Sequence, residues 1–164
     1  MNHTPLNYAL WLLGRRDRSI GEIKEKLILK EYSLEEVKKT IDFLCKNNFL
    51  NDERFAKNFI RNQLLIKPLG EYQLRMRLRR KFIQEDIIEK ILNESELDEK
   101  KQVNIAFSRW IRVNKNKEKK YEKVSRHLIG RGFSWDIIKT VLEEHKSKLT
   151  TINYKLFRRG KNGE

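Results

Sequence analysis

The sequence predicts an all-α protein built as a tandem array of three three-helix repeats. Three observations predict it: self-similarity at a fixed interval, a capping signal at the same place in each repeat, and no period-two alternation long enough for a strand. A shift of 50 positions lays Leu78, Ile83, Asp86, Ile87, Ile88, Ile91 and Leu92 on Leu128, Phe133, Asp136, Ile137, Ile138, Val141 and Leu142 without a gap. A shift of 51 the other way lays Leu74, Leu78, Lys81, Ile83 and Ile88 on Ile23, Leu27, Lys30, Tyr32 and Val37. Ala56 and Ala106 also pair at 50, whereas Ala9 needs an offset of 47, so the first repeat has a turn about four residues shorter. The expected boundaries are 1–47, 48–96 and 97–147, followed by a basic tail over 148–164.

In the first repeat, Ala9, Leu10, Leu12 and Leu13 make a short helix ending near Gly14. Ser19-Ile20-Gly21-Glu22 is a capping-box pattern that opens the second helix, on which Ile23 and Leu27 share the buried face. Ser33-Leu34-Glu35-Glu36 is another and opens the third, with Tyr32 and Val37 at the two positions joined by a hydrophobic staple. The staple recurs as Ile83 with Ile88 around Gln84, and as Phe133 with Ile138 around Ser134. Cys45 lies in an apolar run with Ile41 and Leu44, so it reads as core filler, and a lone cysteine excludes an internal disulfide.

At the start of the second repeat, Asn51 or Asp52 is placed to accept amide hydrogens of a helix running to about Leu65, with Pro68 and Gly70 in the following turn. The next helix buries Leu74, Leu78 and Phe82 and carries Arg75, Arg77, Arg79, Arg80 and Lys81 on its remaining surface. In the third repeat, Ile105, Phe107, Trp110 and Ile111 line a helix that ends in the polar stretch 114–120. Its second helix carries Lys119, Lys120, Lys123, Arg126 and Arg131. The tail sets Leu149, Ile152, Tyr154, Leu156 and Phe157 among Lys155, Arg158, Arg159 and Lys161, which suits a docked segment or a basic arm.

The chain has 164 residues, 37 Lys and Arg against 23 Asp and Glu, and a formal charge of +14, which calls for a polyanion or an acidic partner. A repeat of this size buries too little apolar surface to stand comfortably alone, so neighbouring repeats should support one another. Equivalent helices of an array project on equivalent sides, so the two basic sets, Arg75, Arg77, Arg79, Arg80 and Lys81 with Lys119, Lys120, Lys123, Arg126 and Arg131, are expected to form one nucleic-acid-binding stripe. Arginine forks suit phosphate, and lysines suit looser backbone attraction. Glu35, Glu36, Glu85, Asp86 and Asp136 open the third helices and complement the positive helix N-termini.

No run approaches the length of a membrane span, and the start Met1-Asn2-His3-Thr4-Pro5 lacks the pattern of a signal peptide, so a cytoplasmic protein is expected. His3, His127 and His145 are scattered without metal-ligand spacing, and no glycine-rich phosphate loop or nucleophile elbow stands out. We expect neither catalysis nor a cofactor, and no metal.

The run Leu50-Asn51-Asp52-Glu53-Arg54-Phe55-Ala56, the later Gly70 with Leu74 and Leu78, the opening from Leu12-Leu13 to Ser19, and the Lys-x-hydrophobic turns resemble the RecX family, bacterial regulators of the RecA recombinase. The similarity spans about residues 8 to 145. The resemblance implies a curved, elongated body with a basic face that lies in the groove of the RecA filament on DNA. It implies limited filament extension, faster disassembly, and depressed strand exchange, ATP hydrolysis and co-protease action, hence a place in homologous recombination, DNA repair and the SOS response. The implied partners are the RecA filament and single- and double-stranded DNA without sequence preference, met by a monomer.

Within the family motif, a structural role is expected: Asp52 caps, Phe55 and Ala56 pack, and Arg54 pairs with a carboxylate across the repeat junction. The family has Lys-Gly before the hydrophobic turn residue; Glu31 and Phe82 stand where that glycine would be, and only Gly132 keeps it. A positive φ would be costly at Phe82. Two other classes compete. A tandem Myb-like DNA reader would carry several regularly spaced tryptophans per repeat, whereas Trp11 stands alone in the first, the second has none, and Trp110 and Trp135 share the third. An inert helical adaptor predicts no salt-sensitive partner.

Overall fold

The computed structural model describes residues 4–95, 97–114 and 121–149. Among them lie nine α-helices and no strand: α1 (Pro5–Arg15), α2 (Ile20–Ile28), α3 (Leu34–Lys46), α4 (Asp52–Ile66), α5 (Glu71–Arg79), α6 (Glu85–Glu94), α7 (Glu99–Val113), α8 (Tyr121–Ile129) and α9 (Trp135–Glu144), followed by a 3₁₀ turn at Lys146–Lys148. The tail residues Ile152, Tyr154, Leu156 and Phe157, the basic residues among them, and Lys119 and Lys120 lie outside the described residues.

Equivalent positions of the three helix triplets are buried alike. Ala9, Ala56 and Ala106 are inaccessible or nearly so, as are Leu27, Leu78 and Leu128, and as are Val37, Ile88 and Ile138. The first triplet closes around Ala9, Leu12, Ile23, Leu27, Val37, Leu44 and Leu50, with Tyr32, Ile41 and Cys45 packed half-buried against them. The third closes around Val103, Ala106, Phe107, Val124, Leu128, Phe133, Ile138, Val141 and Leu142. Packing divides the chain into two units rather than three: residues to Gln63 with Leu74–Leu97 form one, and Leu64–Gln73 with the residues from Asp98 onward form the other. The first two triplets thus share a unit, while the turn before α5 and the start of α5 belong with the third.

Both sequence-predicted capping boxes are present. Ser19 accepts from the Glu22 amide and Ser33 from the Glu36 amide, while each glutamate accepts from its serine's own amide. Gln84 and Ser134 occupy the equivalent caps without a side-chain bond, leaving the staple residues Ile83 with Ile88 and Phe133 with Ile138, all buried, to set those helix starts.

The turn that ends each second helix keeps one geometry whether or not glycine is present. Glu31, Phe82 and Gly132 have φ of 62°, 59° and 81°. In the first two turns, Tyr32 N donates to Leu27 O and Glu31 N to Ile28 O, as Ile83 N does to Leu78 O and Phe82 N to Arg79 O. These are Schellman closures, which call for a left-handed residue at this point. The left-handed conformation costs a non-glycine residue about 1–2 kcal/mol, and burial of the following Tyr32 or Ile83 offsets that cost. At Phe82 a second contact helps, since its Cβ and ring lie directly over Gly21, where any β-carbon would collide with them.

Glu31 is exposed, so Glu31→Gly removes backbone strain without removing packing. It should raise stability by about 0.5–1 kcal/mol after the greater chain entropy of glycine is counted. A denaturant midpoint at or below that of the parent protein would show that the turn is not strained.

Candidate nucleic-acid interface

On α5 and the turn after it, the positive side chains are largely engaged within the protein. Arg75 Nη1 reaches Glu85 Oε1 at 2.6 Å and Glu89 Oε1 at 3.0 Å. Arg79 forks onto the same Glu85, with Nε at 2.7 Å from Oε2 and Nη2 at 2.9 Å from Oε1. Hydrogen bonds from Arg79 and Arg75 hold the Glu85 carboxyl at about 2, well below the ordinary 4.5. Arg77 donates to the Gln63 side-chain oxygen. Lys81 turns toward α2, where its Nζ lies 2.7 Å from Glu22 Oε1. Arg80 is exposed, with no ion pair among the described residues. Four of the five positive side chains therefore have a partner within the protein, and the carboxylates that open α6 are what Arg75 and Arg79 meet.

On α8, Lys123 and Arg126 are exposed and have no ion pair among the described residues. Arg131 is half-buried; its Nε donates to His127 Nε2 at 2.9 Å and its Nη1 to the Pro68 carbonyl at 3.1 Å. Burial and the neighbouring Arg109 charge lower its pKa from the arginine value, and burial with Arg131 lowers that of His127. His127 is thus an acceptor that holds Arg131. His145 sits against Phe107 with ring centroids 4.8 Å apart and pairs with Asn104 Oδ1 at 2.8 Å, while His3 is outside the described residues. Among the described residues no cluster of His, Cys, Asp or Glu could hold a metal ion, and no helix is long and apolar enough to cross a membrane.

The family-motif residues sit at a junction. Asn51 Oδ1, 2.8 Å from Arg54 N, caps α4, whereas Asp52 Oδ1 accepts from Ile20 N at 2.9 Å and so caps α2 across the junction. Phe55 and Ala56 are buried. Among the described residues Arg54 meets no carboxylate: its Nη2 donates to the carbonyls of Asn48 at 2.9 Å and Phe49 at 3.3 Å, fastening the turn that precedes α4. That turn contains Asn48 at φ 58°, and the guanidinium takes up two of its carbonyls.

Comparison with known proteins settles the lineage. Models of the first, second and third three-helix domains of RecX match residues 6–44, 51–92 and 106–142. The chain belongs to the RecX family. A regulatory protein RecX from Prosthecochloris aestuarii is 37% identical over 140 residues, 85% of this chain and 91% of that relative. One from Vibrio parahaemolyticus is 34% identical over 135 residues, 82% of this chain and 86% of the relative. In fold, this RecX-family chain is similar to the crystal structure of RecX from Lactobacillus salivarius, with a TM-score of 0.75 at 24% identity, covering 87% of this chain and 95% of that one.

Proposed function

We propose that this RecX-family protein binds the RecA nucleoprotein filament in the cytoplasm, blocks its extension, favours its disassembly, and so depresses ATP turnover, strand exchange and co-protease action. The observation that carries the reading is the RecX match in all three triplets, with relatives aligned over most of their own length. The formal charge of +14 supports contact with DNA inside that filament, and Arg80, Lys123 and Arg126 are exposed to make it. On this reading the protein acts as a monomer and without chemistry of its own, since ATP and catalysis belong to the recombinase. Contacts spread over several recombinase subunits combine as linked sites, so a small protein can hold a long filament.

The test is ATP hydrolysis by RecA on single-stranded DNA, titrated with the protein at well below one copy per recombinase. A large loss of turnover is the expected result. Unchanged turnover at equimolar protein, joined to tight sequence-selective duplex binding, would replace this reading with that of a Myb-like DNA reader.

A further inference from the structure

Helix α7 carries basic residues that belong to neither of the two basic sets read on the second helices. Lys101, Ile105, Ser108 and Arg112 follow one another at steps of four, three and four, so they run along one side of the helix. With Asn104 and Arg109 they line an open cavity of about 430 Å³. None of these lining residues is acidic. The acidic residue of α7 itself, Glu99 in its first turn, accepts from the Glu71 amide at 2.7 Å, and Glu144 pairs with Lys100 at 2.6 Å rather than with Lys101. Lys101, Arg109 and Arg112 are exposed and have no ion pair among the described residues.

What orients the nearby guanidiniums is neutral. Arg109 Nη1 donates to the Ile66 carbonyl at 3.4 Å, and Arg131 to the Pro68 carbonyl at 3.1 Å. Carbonyls position an arginine while leaving its charge uncompensated, the reverse of Glu85 on α6. An anion is the complement of such a surface, and a chain of anions fits its length. From Lys101 to Arg112 is eleven residues, about 16 Å of helix, long enough to meet several phosphates of one strand in succession.

We propose that this face of α7 binds the phosphodiester backbone of single-stranded nucleic acid, with Lys101, Ser108, Arg109 and Arg112 donating to successive phosphates and Ile105 against the sugars. Arginine and serine are donors of the kind that position a protein on phosphates without reading sequence. The proposal deepens the reading of this chain as a filament regulator and names its DNA contact, yet bare DNA suffices to test it.

The test uses the full chain and a fluorescent oligothymidylate, with Kd measured from low to moderate salt. Lys101→Ala with Arg112→Ala should reduce the log–log salt slope by about 1.4, or 0.7 per phosphate lost on a single strand. Ser108→Asp, an exposed change, should weaken binding at low salt without altering helicity or melting. Lys38→Ala with Lys139→Ala, equal in charge and exposed on α3 and α9, should leave the slope nearly as it was. An unchanged slope in the α7 pair, or an equal drop in both pairs, overturns the proposal. So does an α7 pair that loses its effect on RecA while keeping the parent's DNA slope, which would make the face a protein contact. If the unmodified protein fails to depress RecA turnover, the filament reading falls, and the slope still judges α7 independently.

Discussion

Gly70→Ala should unfold the packing of α5 against the α8–α9 turn at a markedly lower temperature than in the parent protein. A β-carbon on Gly70 would stand 2.2 Å from Gly132 O, 2.4 Å from Gly132 C and 2.5 Å from Phe133 N, all backbone atoms. Backbone cannot swing aside as a side chain can. The next residue, Phe133, is buried in the core of the third triplet, so moving the turn would also drag an anchor out of that core. The same approach carries the hydrogen bond from Gly70 N to Arg131 O at 2.9 Å. Overpacking costs about 1–3 kcal/mol where side chains can adjust, and the lost hydrogen bond adds about 1 kcal/mol. A total of about 2–4 kcal/mol, at about 2–4 °C per kcal/mol for a chain of this size, is a fall on the order of 10 °C in a circular-dichroism melt. Gly14→Ala, where nothing lies within 4 Å of the added carbon, is the control and should not lower melting. A Gly70→Ala protein that melts with the parent would mean that these two backbones do not meet in solution.

Glu22→Gln should destabilise the protein and change its response to acid. The Glu22 side chain is 9% exposed and is shared by two cations, Arg16 Nη2 at 2.9 Å and Lys81 Nζ at 2.7 Å. It also accepts from the amide of the fully buried Ser19 at 3.3 Å. Burial by itself raises the pKa of Glu22, yet hydrogen bonds from Arg16, Lys81 and the Ser19 amide outweigh it and leave the group at about 2. Removing the charge leaves both cations without their carboxylate. Because Arg16 and Lys81 are partly solvated, the cost is about 2 kcal/mol rather than the 3–5 of a fully buried pair.

The pH dependence follows from the direction of the shift. A carboxyl whose folded pKa is depressed contributes stability that is complete above its unfolded pKa, near 4.5, and that is lost as pH falls toward about 2. Denaturant midpoints of the parent should therefore decline through that window, and Glu22→Gln should decline less steeply. Glu85 titrates in the same window, so the variant's acid limb flattens without vanishing. Parallel acid limbs for parent and variant would show that Glu22 is solvated in the folded protein.

The repeat architecture was legible because helix burial has a short-range signature. Leu27, Leu78 and Leu128 recur at offsets of 51 and 50, and all three are fully buried. The capping boxes at Ser19 and Ser33 are likewise contacts between residues three apart, so reading them requires no knowledge of the fold. The left-handed turns at Glu31 and Phe82 were harder. Glycine is the usual mark of such a turn, and a positive φ reads from sequence as costly at Phe82; packing of the half-buried Tyr32 and burial of Ile83 hold the same geometry with residues that disfavour it.

Charge was the part of the site least legible in sequence. Arg75, Arg79, Glu85 and Glu89 read as separate basic and acidic segments, but the turn at Phe82 folds α6 back on α5 and brings them within 3.0 Å. Asn51 and Asp52 both read as candidate caps of α4; Asn51 takes that place, and Asp52 serves α2 instead. The α7 residues keep a helical spacing of four, three and four that the sequence does display; what it does not display is that Lys101, Arg109 and Arg112 meet no carboxylate among the described residues.

By itself, the sequence determined that the chain is a set of three helical triplets, where their helices begin, and which side chains form their interiors, because those features follow from periodicities of three and four residues. Only the tertiary structure decided which positive charges remain uncompensated and where successive triplets touch, at Ser19 with Lys81 and at Gly70 with Arg131. Those depend on pairs about sixty residues apart, and no local pattern records which distant carboxylate or carbonyl a given side chain will meet.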